Sequence, residues 1–274
     1  MSLRQWAHRS APVRMGVFFG LLLLVWCFPA LILIQLWGIA SAGNGALILL
    51  YLLFIAGLYQ WSKRFYGYRS PLQHYGLDLS GHNFKGLLLG VVIGGLSLGL
   101  LLTLESMLGW LVWHQVPGIA LIFAGLAVAL AVGFAEELFF RGWLLHELEK
   151  DYSLGTALIT SSAIFAALHY IKPWSEIVKG LPQIFGLFLL GATLVWCKRS
   201  LNGRLGLAMG LHAGLVWAYY CVDVGDWVSY TGAVSPWVTG INENPLAGVM
   251  GLLCLGGIAV GIRCRKHPNC YSNS

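Results

Sequence analysis

The chain has 274 residues, of which 58% are hydrophobic and only 10% are charged, whereas a soluble domain carries about 25% charged residues. Apolar runs recur at lengths of roughly 17 to 25 residues, which is the length that crosses a bilayer as an α-helix. The composition therefore excludes a soluble globular protein and predicts an integral membrane protein.

The formal net charge of +6 does not indicate nucleic-acid binding. Lys and Arg collect at the ends of apolar segments and form no stripe with interleaved aromatic residues. The six cysteines show no CxxC spacing, which argues against a zinc site of that type and against a disulfide framework. We therefore expect the lipid bilayer to be a partner, and no nucleic acid.

Eight apolar segments follow one another along the chain. They span approximately residues 15–37, 45–61, 86–112, 117–145, 154–170, 182–197, 205–221 and 246–262. The first resembles a signal peptide, but its apolar run is too long for one, so we predict an uncleaved helix. The third carries Gly86, Gly90 and Gly94, a spacing that lets two membrane helices approach closely. The sequence thus predicts an all-α polytopic membrane protein with about eight transmembrane helices.

Alternating these segments across the membrane gives a topology. With the N-terminus in the cytoplasm, fourteen of the 17 Lys and Arg residues fall on the cytoplasmic side, as the positive-inside rule requires. Both termini are therefore expected in the cytoplasm. We expect an N-terminal region of helices 1–3 (residues 1–115), a core of helices 4–8 (residues 116–262) and a cytoplasmic tail (residues 263–274).

The fourth segment carries three ionisable residues at membrane depth, Glu136, Glu137 and Arg141. Charge in a bilayer is costly, so it marks a candidate functional site. Glu137 and Arg141 are four residues apart and can pair on one helix face. Glu136 lies about 100° round the helix, without that partner, which makes it the candidate general base. The alternative is a Glu-Arg pair that only holds two helices together.

Two histidines, His169 and His212, are further candidate site residues at membrane depth. Counted from the helix ends, Glu136 and His212 lie at similar depth and His169 several Å deeper, a difference that helix tilt can absorb. We predict that the three side chains share one site. Glu105, near the end of the third segment, is expected to reach for the membrane interface, with a second functional acid as the alternative.

A glutamate with two histidines admits two chemistries. In one, zinc carries a bound water; in the other, the glutamate deprotonates water without a metal and the histidines orient it or stabilise what forms. A His-Glu-x-x-His motif on a single helix is absent from the sequence, so a metal would need ligands gathered from three helices.

Three motifs lie in order on successive membrane helices. They are Glu136-Glu137-x-x-x-Arg141, Phe165-x-x-x-His169 and His212. Together they resemble the CPBP family of intramembrane proteases, which includes the CAAX prenyl endopeptidases that trim prenylated proteins and the bacterial Abi-type proteins. The resemblance covers about residues 118–262. It implies an intramembrane endopeptidase acting on a membrane-embedded or lipidated peptide or protein, with a membrane-protein partner as a further option.

Matched residue by residue, the resemblance implies a role for each site residue. Glu136 is expected to activate water as the general base, held by the pair of Glu137 and Arg141. His169 is expected to orient the water or share its proton, and His212 to help stabilise the oxyanion. The family was first described as metal-dependent and is now mostly viewed as a glutamate-type hydrolase, so no cofactor is expected. If zinc is present, its ligands are expected to be Glu136, His169 and His212.

One position departs from the family pattern. The third motif of the family is His-x-x-x-Asn, and Val216 occupies the place of the Asn. Losing one oxyanion donor costs about 100- to 1,000-fold in rate, so either another donor substitutes or the protein is a weak protease. A catalytically weak or inactive scaffold or assembly factor is therefore one alternative. A transporter with a proton relay between Glu136 and His169 is another, although the chain shows no repeated halves.

Overall fold

A computed structural model describes residues 7–116, 118–171 and 173–264. Residues 1–6, Pro117, Lys172 and residues 265–274 lie outside this description, and with them most of the predicted cytoplasmic tail. The described chain is almost entirely helical, with two three-residue strands, and several of its helices are long and apolar enough to cross a membrane. The predicted all-α polytopic membrane fold is confirmed.

The first element, α1 (Ala11–Trp61), is a helical hairpin. The backbone breaks at Gly38, whose φ of 74° is a conformation that glycine adopts without steric cost. The two halves then run antiparallel, and the indole Nε1 of Trp26 donates to the carbonyl of Ala46 across 2.7 Å. A π-helical turn, Ser62–Tyr66, completes the second half.

The remaining elements follow in chain order. They are α2 (Pro71–His74), α3 (Gly81–Met107), β1 (Leu111–Trp113), α4 (Ile119–Glu137), a π-helical segment (Leu138–Leu144), α5 (Leu145–Asp151), α6 (Leu154–Leu168), α7 (Trp174–Gly180), α8 (Gln183–Ser200), α9 (Gly206–Asp223), β2 (Val228–Tyr230), α10 (Pro236–Thr239), two 3-10 turns (Ile241–Glu243 and Pro245–Ala247) and α11 (Val249–Cys264). Strands β1 and β2 pair antiparallel, with Val112 opposite Ser229.

Four helical stretches within the described residues are long and apolar enough to cross a membrane. They are Ala11–Ile39, Ser41–Tyr66, Gly81–Met107 and Ile119–Asp151. Helices α7 and α8 meet at 75° and give a fifth span if the bent pair is counted as one. The apolar helices α6 and α11 are shorter, at 15 and 16 residues. The number of spanning helices supported is therefore four to five, and the predicted count of eight is not confirmed.

Helix α3 packs against α9 through glycines on both helices. A Cβ built on Gly90 would lie 2.4 Å from the backbone nitrogen of Leu211, and one built on Gly210 would lie 2.0 Å from the carbonyl oxygen of Leu87. Such distances leave no room for a side chain, so the two backbones are in contact, as small residues at four-residue spacing predict. This contact fixes α9, the helix that carries His212.

One continuous hydrophobic core crosses the predicted boundary at residue 115. It joins Phe18 and Phe54 of α1 to Trp143 of the π-helical segment and Phe165 of α6. The ring of Phe18 lies 4.9 Å from that of Trp143. The division into an N-terminal region and a core of helices stays a prediction, but side chains from both parts enclose the same interior.

Candidate active site

The predicted site begins where the α-helix α4 continues as a π-helical segment. Glu136 and Glu137 are the last two residues of α4, and the π-helical segment Leu138–Leu144 follows directly. Short π-helical segments inside α-helices occur frequently at functional sites, because the wider turn re-aims side chains and frees backbone carbonyls. No pattern in the sequence predicted this π-helical segment.

Glu137 and Arg141 form the expected ion pair. Nη1 of Arg141 lies 2.8 Å from Oε1 of Glu137, and both side chains are completely buried. The second Nη of the guanidinium donates to the carbonyl oxygen of Gly191 on α8 across 3.1 Å. Its central carbon lies 4.3 Å from the ring centroid of Phe165, a cation-π contact. Two neighbouring helices thus hold the charged group in place.

Lys198 supports the same segment from α8. Its side chain is buried, and Nζ donates to the carbonyl oxygen of Arg141 across 2.6 Å. Sequence reasoning counted Lys198 only as a cytoplasmic positive charge. Its contact with Arg141 joins residues 57 positions apart, and no local pattern in the sequence signals it.

Glu137 also bonds His212. Nδ1 of His212 lies 2.9 Å from Oε1 of Glu137. A carboxylate only accepts hydrogen bonds, so Nδ1 carries the proton and Nε2 of the neutral ring keeps a lone pair. That Nε2 lies 4.0 Å from Oε2 of Glu136. The bond to Glu137 therefore decides which nitrogen of His212 faces Glu136.

His169 approaches the same oxygen from the end of α6. It follows directly after α6, and its Nδ1 donates to the carbonyl oxygen of Phe165 across 2.8 Å. Its Nε2 is thereby left as an acceptor, 3.9 Å from Oε2 of Glu136. The difference in depth expected from the helix ends does not keep the two groups apart. The five predicted site residues form one connected group.

Solvent exposure divides this group into two pairs around His212. The side chains of Glu136 and His169 are 31% and 32% exposed, whereas those of Glu137 and Arg141 are 0% exposed. His212 is 4% exposed. Glu136 and His169 are therefore the partly exposed members of the group, while Glu137 and Arg141 can act only through their neighbours.

Three hydrogen-bond acceptors converge in this site. Oε2 of Glu136 has no hydrogen-bond partner among the described residues, and the Nε2 atoms of His169 and His212 lie 3.9 and 4.0 Å from it. Acceptors facing each other at that spacing need a proton donor or a cation between them. Within the described chain, no group of three or more His, Cys, Asp or Glu side chains is arranged to hold a metal ion.

Two other residues named in the sequence analysis, Val216 and Glu105, can also be placed in the structure. Val216 is half-buried on α9, one turn after His212. Glu105 is completely buried, so the expectation that it reaches for the membrane interface is wrong. Neither carboxyl oxygen of Glu105 makes a hydrogen bond of ordinary geometry to the described residues, and the hydroxyl of Tyr230 on β2 donates to the carbonyl oxygen of Thr239 across 3.5 Å. Burial, together with the charge of Glu105, raises the pKa of Tyr230.

Comparison with known proteins gives one family. Residues 118–218 match the family model described as type II CAAX prenyl endopeptidase Rce1-like. The match covers more than a third of the chain and contains all five site residues. No match was found among curated proteins or among solved structures.

This match confirms the resemblance to the CAAX protease family that the three motifs predicted. It ends at residue 218, so the part of the predicted resemblance that follows, up to residue 262, lies outside it. The match supports an endopeptidase-type function in the membrane, and the family implies prenylated, membrane-associated proteins as substrates. Together with the apolar helices, it identifies an integral membrane protein.

Proposed function

We propose that this protein is an intramembrane endopeptidase in which Glu136 activates the water that attacks a peptide bond. The observation that carries the proposal is the convergence of two imidazole Nε2 atoms on Oε2 of Glu136, at 3.9 and 4.0 Å. A water molecule that donates to Oε2 of Glu136 at an ordinary hydrogen-bond distance of about 2.8 Å can donate its second proton to one of the two Nε2 atoms. One water then satisfies the unpartnered oxygen of Glu136.

The proposed reaction needs no group beyond these side chains and water. Glu136 takes a proton from the water, whose oxygen bonds to the carbonyl carbon of the scissile peptide. The tetrahedral intermediate then collapses, the C–N bond breaks, and protonated Glu136 returns the proton to the leaving nitrogen. Glu136 is suited to this role because its Oε2 has no hydrogen-bond partner among the described residues and can accept the proton of the attacking water directly.

The two histidines have different roles in this scheme. His169 is accessible and accepts a hydrogen bond from the attacking water, which fixes the direction of attack. His212 is buried against Glu137. A carboxylate in that position selects the tautomer of the ring, so Nε2 of neutral His212 is an acceptor and can help to stabilise the oxyanion only when it carries a second proton. Glu137 and Arg141 are positioning residues, because neither is exposed to a substrate.

The proposed substrate is a lipidated or membrane-embedded protein segment. The family match points to prenylated proteins, and the site lies among helices that are apolar enough to span a membrane. A peptide backbone is tolerated at membrane depth only inside protein or beside water. In the proposed reaction, the water beside Glu136 and His169 provides such a place. The excess of basic residues on one side of the predicted topology favours cytoplasmic termini and a cytoplasmic opening.

The proposal is tested by Glu136→Gln in the full-length protein, purified and placed in lipid nanodiscs. The probes are a farnesylated peptide with a C-terminal CAAX sequence and a library of membrane-spanning peptides. We expect wild-type protein to cleave at least one probe and Glu136→Gln to abolish cleavage. Glu176→Gln on α7, whose side chain is 53% exposed, serves as the matched control. Unchanged cleavage by Glu136→Gln would overturn the proposed mechanism.

A non-catalytic scaffold of the same fold is the second candidate function. Val216 favours it, because a valine side chain cannot donate the hydrogen bond that an asparagine would supply. It would be indicated if purified wild-type protein cleaved no probe while Glu136→Gln still supported the cellular role.

A further inference from the structure

The proposed site is rich in hydrogen-bond acceptors and poor in donors. The Nε2 atoms of His169 and His212 are acceptors while the rings are neutral, since each Nδ1–H is already used. Both Nη atoms of Arg141 are bonded elsewhere. A carbonyl oxygen that gains negative charge in this site needs a donor, and one such donor is worth about 100- to 1,000-fold in rate.

Tyr51, on the second half of α1, has a hydroxyl without an assigned role. The hydroxyl is buried and makes no hydrogen bond to any of the described residues. It interacts electrostatically with both Glu136 and Glu137, so it lies near the carboxylates of the site. A buried polar group without a partner is costly and rare in native proteins. A ligand that bonds to it during function explains why it is kept.

The direction of α1 places Tyr51 relative to α4. The ring of Phe54 lies 5.5 Å from that of Phe139. Further along both segments, the hydroxyl of Tyr66 donates to Glu147 across 2.8 Å. Residue numbers therefore increase in the same direction along both partners of these contacts. The second half of α1 thus runs parallel to α4 and α5.

This register brings Tyr51 to the level of Glu136. Tyr51 precedes Phe54 by three residues, and Glu136 precedes Phe139 by three residues, so both lie about 4.5 Å before the packed pair along parallel helices. The rings of Tyr51 and Phe54 are 6.0 Å apart, which keeps Tyr51 on the face that packs against α4. The phenol therefore lies at the level of Glu136, on the helix that packs against α4.

Other buried donors without a hydrogen-bond partner lie at different levels. The hydroxyl of Ser162 is one of them, but Ser162 precedes His169 by seven residues, about 10 Å along α6. Nε1 of Trp143 is another, and Trp143 follows Glu136 by seven residues. Nε of Arg141 is also an orphaned donor, but its guanidinium is completely buried in the pair with Glu137. Of the orphaned hydroxyl and indole donors among the described residues, Tyr51 is the one at the level of Glu136.

We propose that the hydroxyl of Tyr51 donates the hydrogen bond that stabilises the oxyanion, in place of the asparagine that Val216 replaces. The inference rests on the proposed endopeptidase function. As the water oxygen bonds to the carbonyl carbon, the C=O π electrons move onto the carbonyl oxygen and the water proton passes to Glu136. Tyr51 donates to that oxygen until the electron pair returns, the C–N bond breaks and Glu136 protonates the leaving nitrogen.

The test compares Tyr51→Phe with wild type on a cleaved farnesylated CAAX peptide in nanodiscs. We expect kcat to fall by about 100-fold or more, with KM changed by less than about threefold, because the lost bond forms only in the transition state. The melting temperature should be equal to or above that of wild type, since the hydroxyl has no folded-state partner. Tyr59→Phe, on the same helix with a 37% exposed ring, is the matched control.

A second variant separates a donor role from a structural one. Adding Val216→Asn to Tyr51→Phe should raise kcat by at least about tenfold. Adding Val216→Asn to the wild-type protein should raise kcat much less, because the two donors bond to the same oxygen. Replacing Tyr51 with a fluorinated tyrosine keeps the ring shape and lowers the pKa of the phenol. The alkaline limb of the kcat profile should then move to lower pH, even if Tyr51→Phe folds poorly.

The outcomes separate the two proposals. If wild type cleaves and Glu136→Gln does not, but Tyr51→Phe cleaves at the wild-type rate, the role of Tyr51 is overturned and the proposed function stands. Two further results for Tyr51→Phe would also overturn the donor role. A rise in KM at constant kcat would show that Tyr51 binds the substrate. A shift of only the acid limb of the kcat/KM profile would show that Tyr51 acts on Glu136. If wild-type protein cleaves no probe, both proposals are overturned.

Discussion

Nδ1 of His212 donates to Oε1 of Glu137 across 2.9 Å, and this bond fixes which nitrogen of the imidazole faces Glu136. Its effect resembles that of the aspartate in a serine-protease triad, which selects the tautomer of the histidine and stabilises the imidazolium. Nη1 of Arg141 donates to the same oxygen of Glu137, and both of these side chains are completely buried. The arrangement assigns the two adjacent glutamates different tasks.

The first prediction concerns Glu137→Gln. The amide of glutamine can donate to Nδ1 and so favour the wrong tautomer of His212, a change that costs about 10,000-fold in kcat in the serine-protease case. We expect a loss of at least about 100-fold in kcat with KM nearly unchanged. Steady-state kinetics on the farnesylated peptide measure it, with Glu176→Gln as control. Activity near the wild-type level would show that Glu137 does not act through His212.

The second prediction concerns the buried ion pair. Arg141→Met leaves Glu137 charged and unpaired, which should lower the free energy of unfolding by about 3–5 kcal/mol. The double variant Arg141→Met with Glu137→Gln should lose less than the sum of the two single changes. Unfolding in a denaturing-detergent titration measures both values. Arg199→Met, which breaks a partly exposed pair with Glu149, should cost only about 0–1 kcal/mol; equal losses would contradict the expectation.

Part of the site followed from sequence because helix geometry is local. The four-residue spacing of Glu137 and Arg141 predicts their contact, which the structure places at 2.8 Å. The bond between His212 and Glu137 joins residues 75 positions apart, and the π-helical segment after Glu137 has no distinctive composition. Long-range packing determines both, so neither could be predicted from one sequence.

The fold was predictable to a similar extent. Apolar runs located helices at all eight segments, but the predicted count of eight spans is not confirmed, since α6 and α11 are short. The glycines of α3 predicted a close helix contact without naming its partner. That partner is α9, which has Gly206, Gly210 and Gly214 at the same spacing.

The third prediction tests this contact. Gly210→Ala places a Cβ 2.0 Å from the carbonyl oxygen of Leu87, so α3 and α9 must separate, at a cost of about 1–3 kcal/mol in the free energy of unfolding. His212 lies two residues further on, so kcat should fall as well. Gly99→Ala is the control, because no atom lies within 4 Å of its Cβ and alanine favours helix. A neutral Gly210→Ala would contradict the close packing.

The fourth prediction concerns metal. Ligand atoms around a tetrahedral zinc ion with bonds of about 2.0–2.1 Å lie about 3.3 Å apart, whereas Oε2 of Glu136 lies 3.9 and 4.0 Å from the two Nε2 atoms. That spacing suits a bridging water better. We expect cleavage to persist after dialysis against a chelator and in metal-free buffer. Loss of activity that Zn²⁺ restores would instead assign Glu136, His169 and His212 as zinc ligands.

The fifth prediction uses an ion pair in the loop before α3. A hydrogen bond from Ser80 and the guanidinium of Arg204 lower the pKa of Asp78, and Nε of Arg204 lies 2.8 Å from its carboxylate. Because the pKa of Asp78 is lower in the folded than in the unfolded protein, its ionised form stabilises the fold at pH values above the unfolded-state pKa of about 3.9. This stabilisation is lost as the pH falls through the folded-state pKa of Asp78. Asp78→Asn should therefore lower the melting temperature by a constant amount between about pH 7 and pH 5, and by less below about pH 4. Thermal unfolding in detergent across that range measures it, with Glu176→Gln as control. A difference between wild type and Asp78→Asn that stayed constant well below pH 4 would show that Asp78 stabilises the loop through something other than its charge.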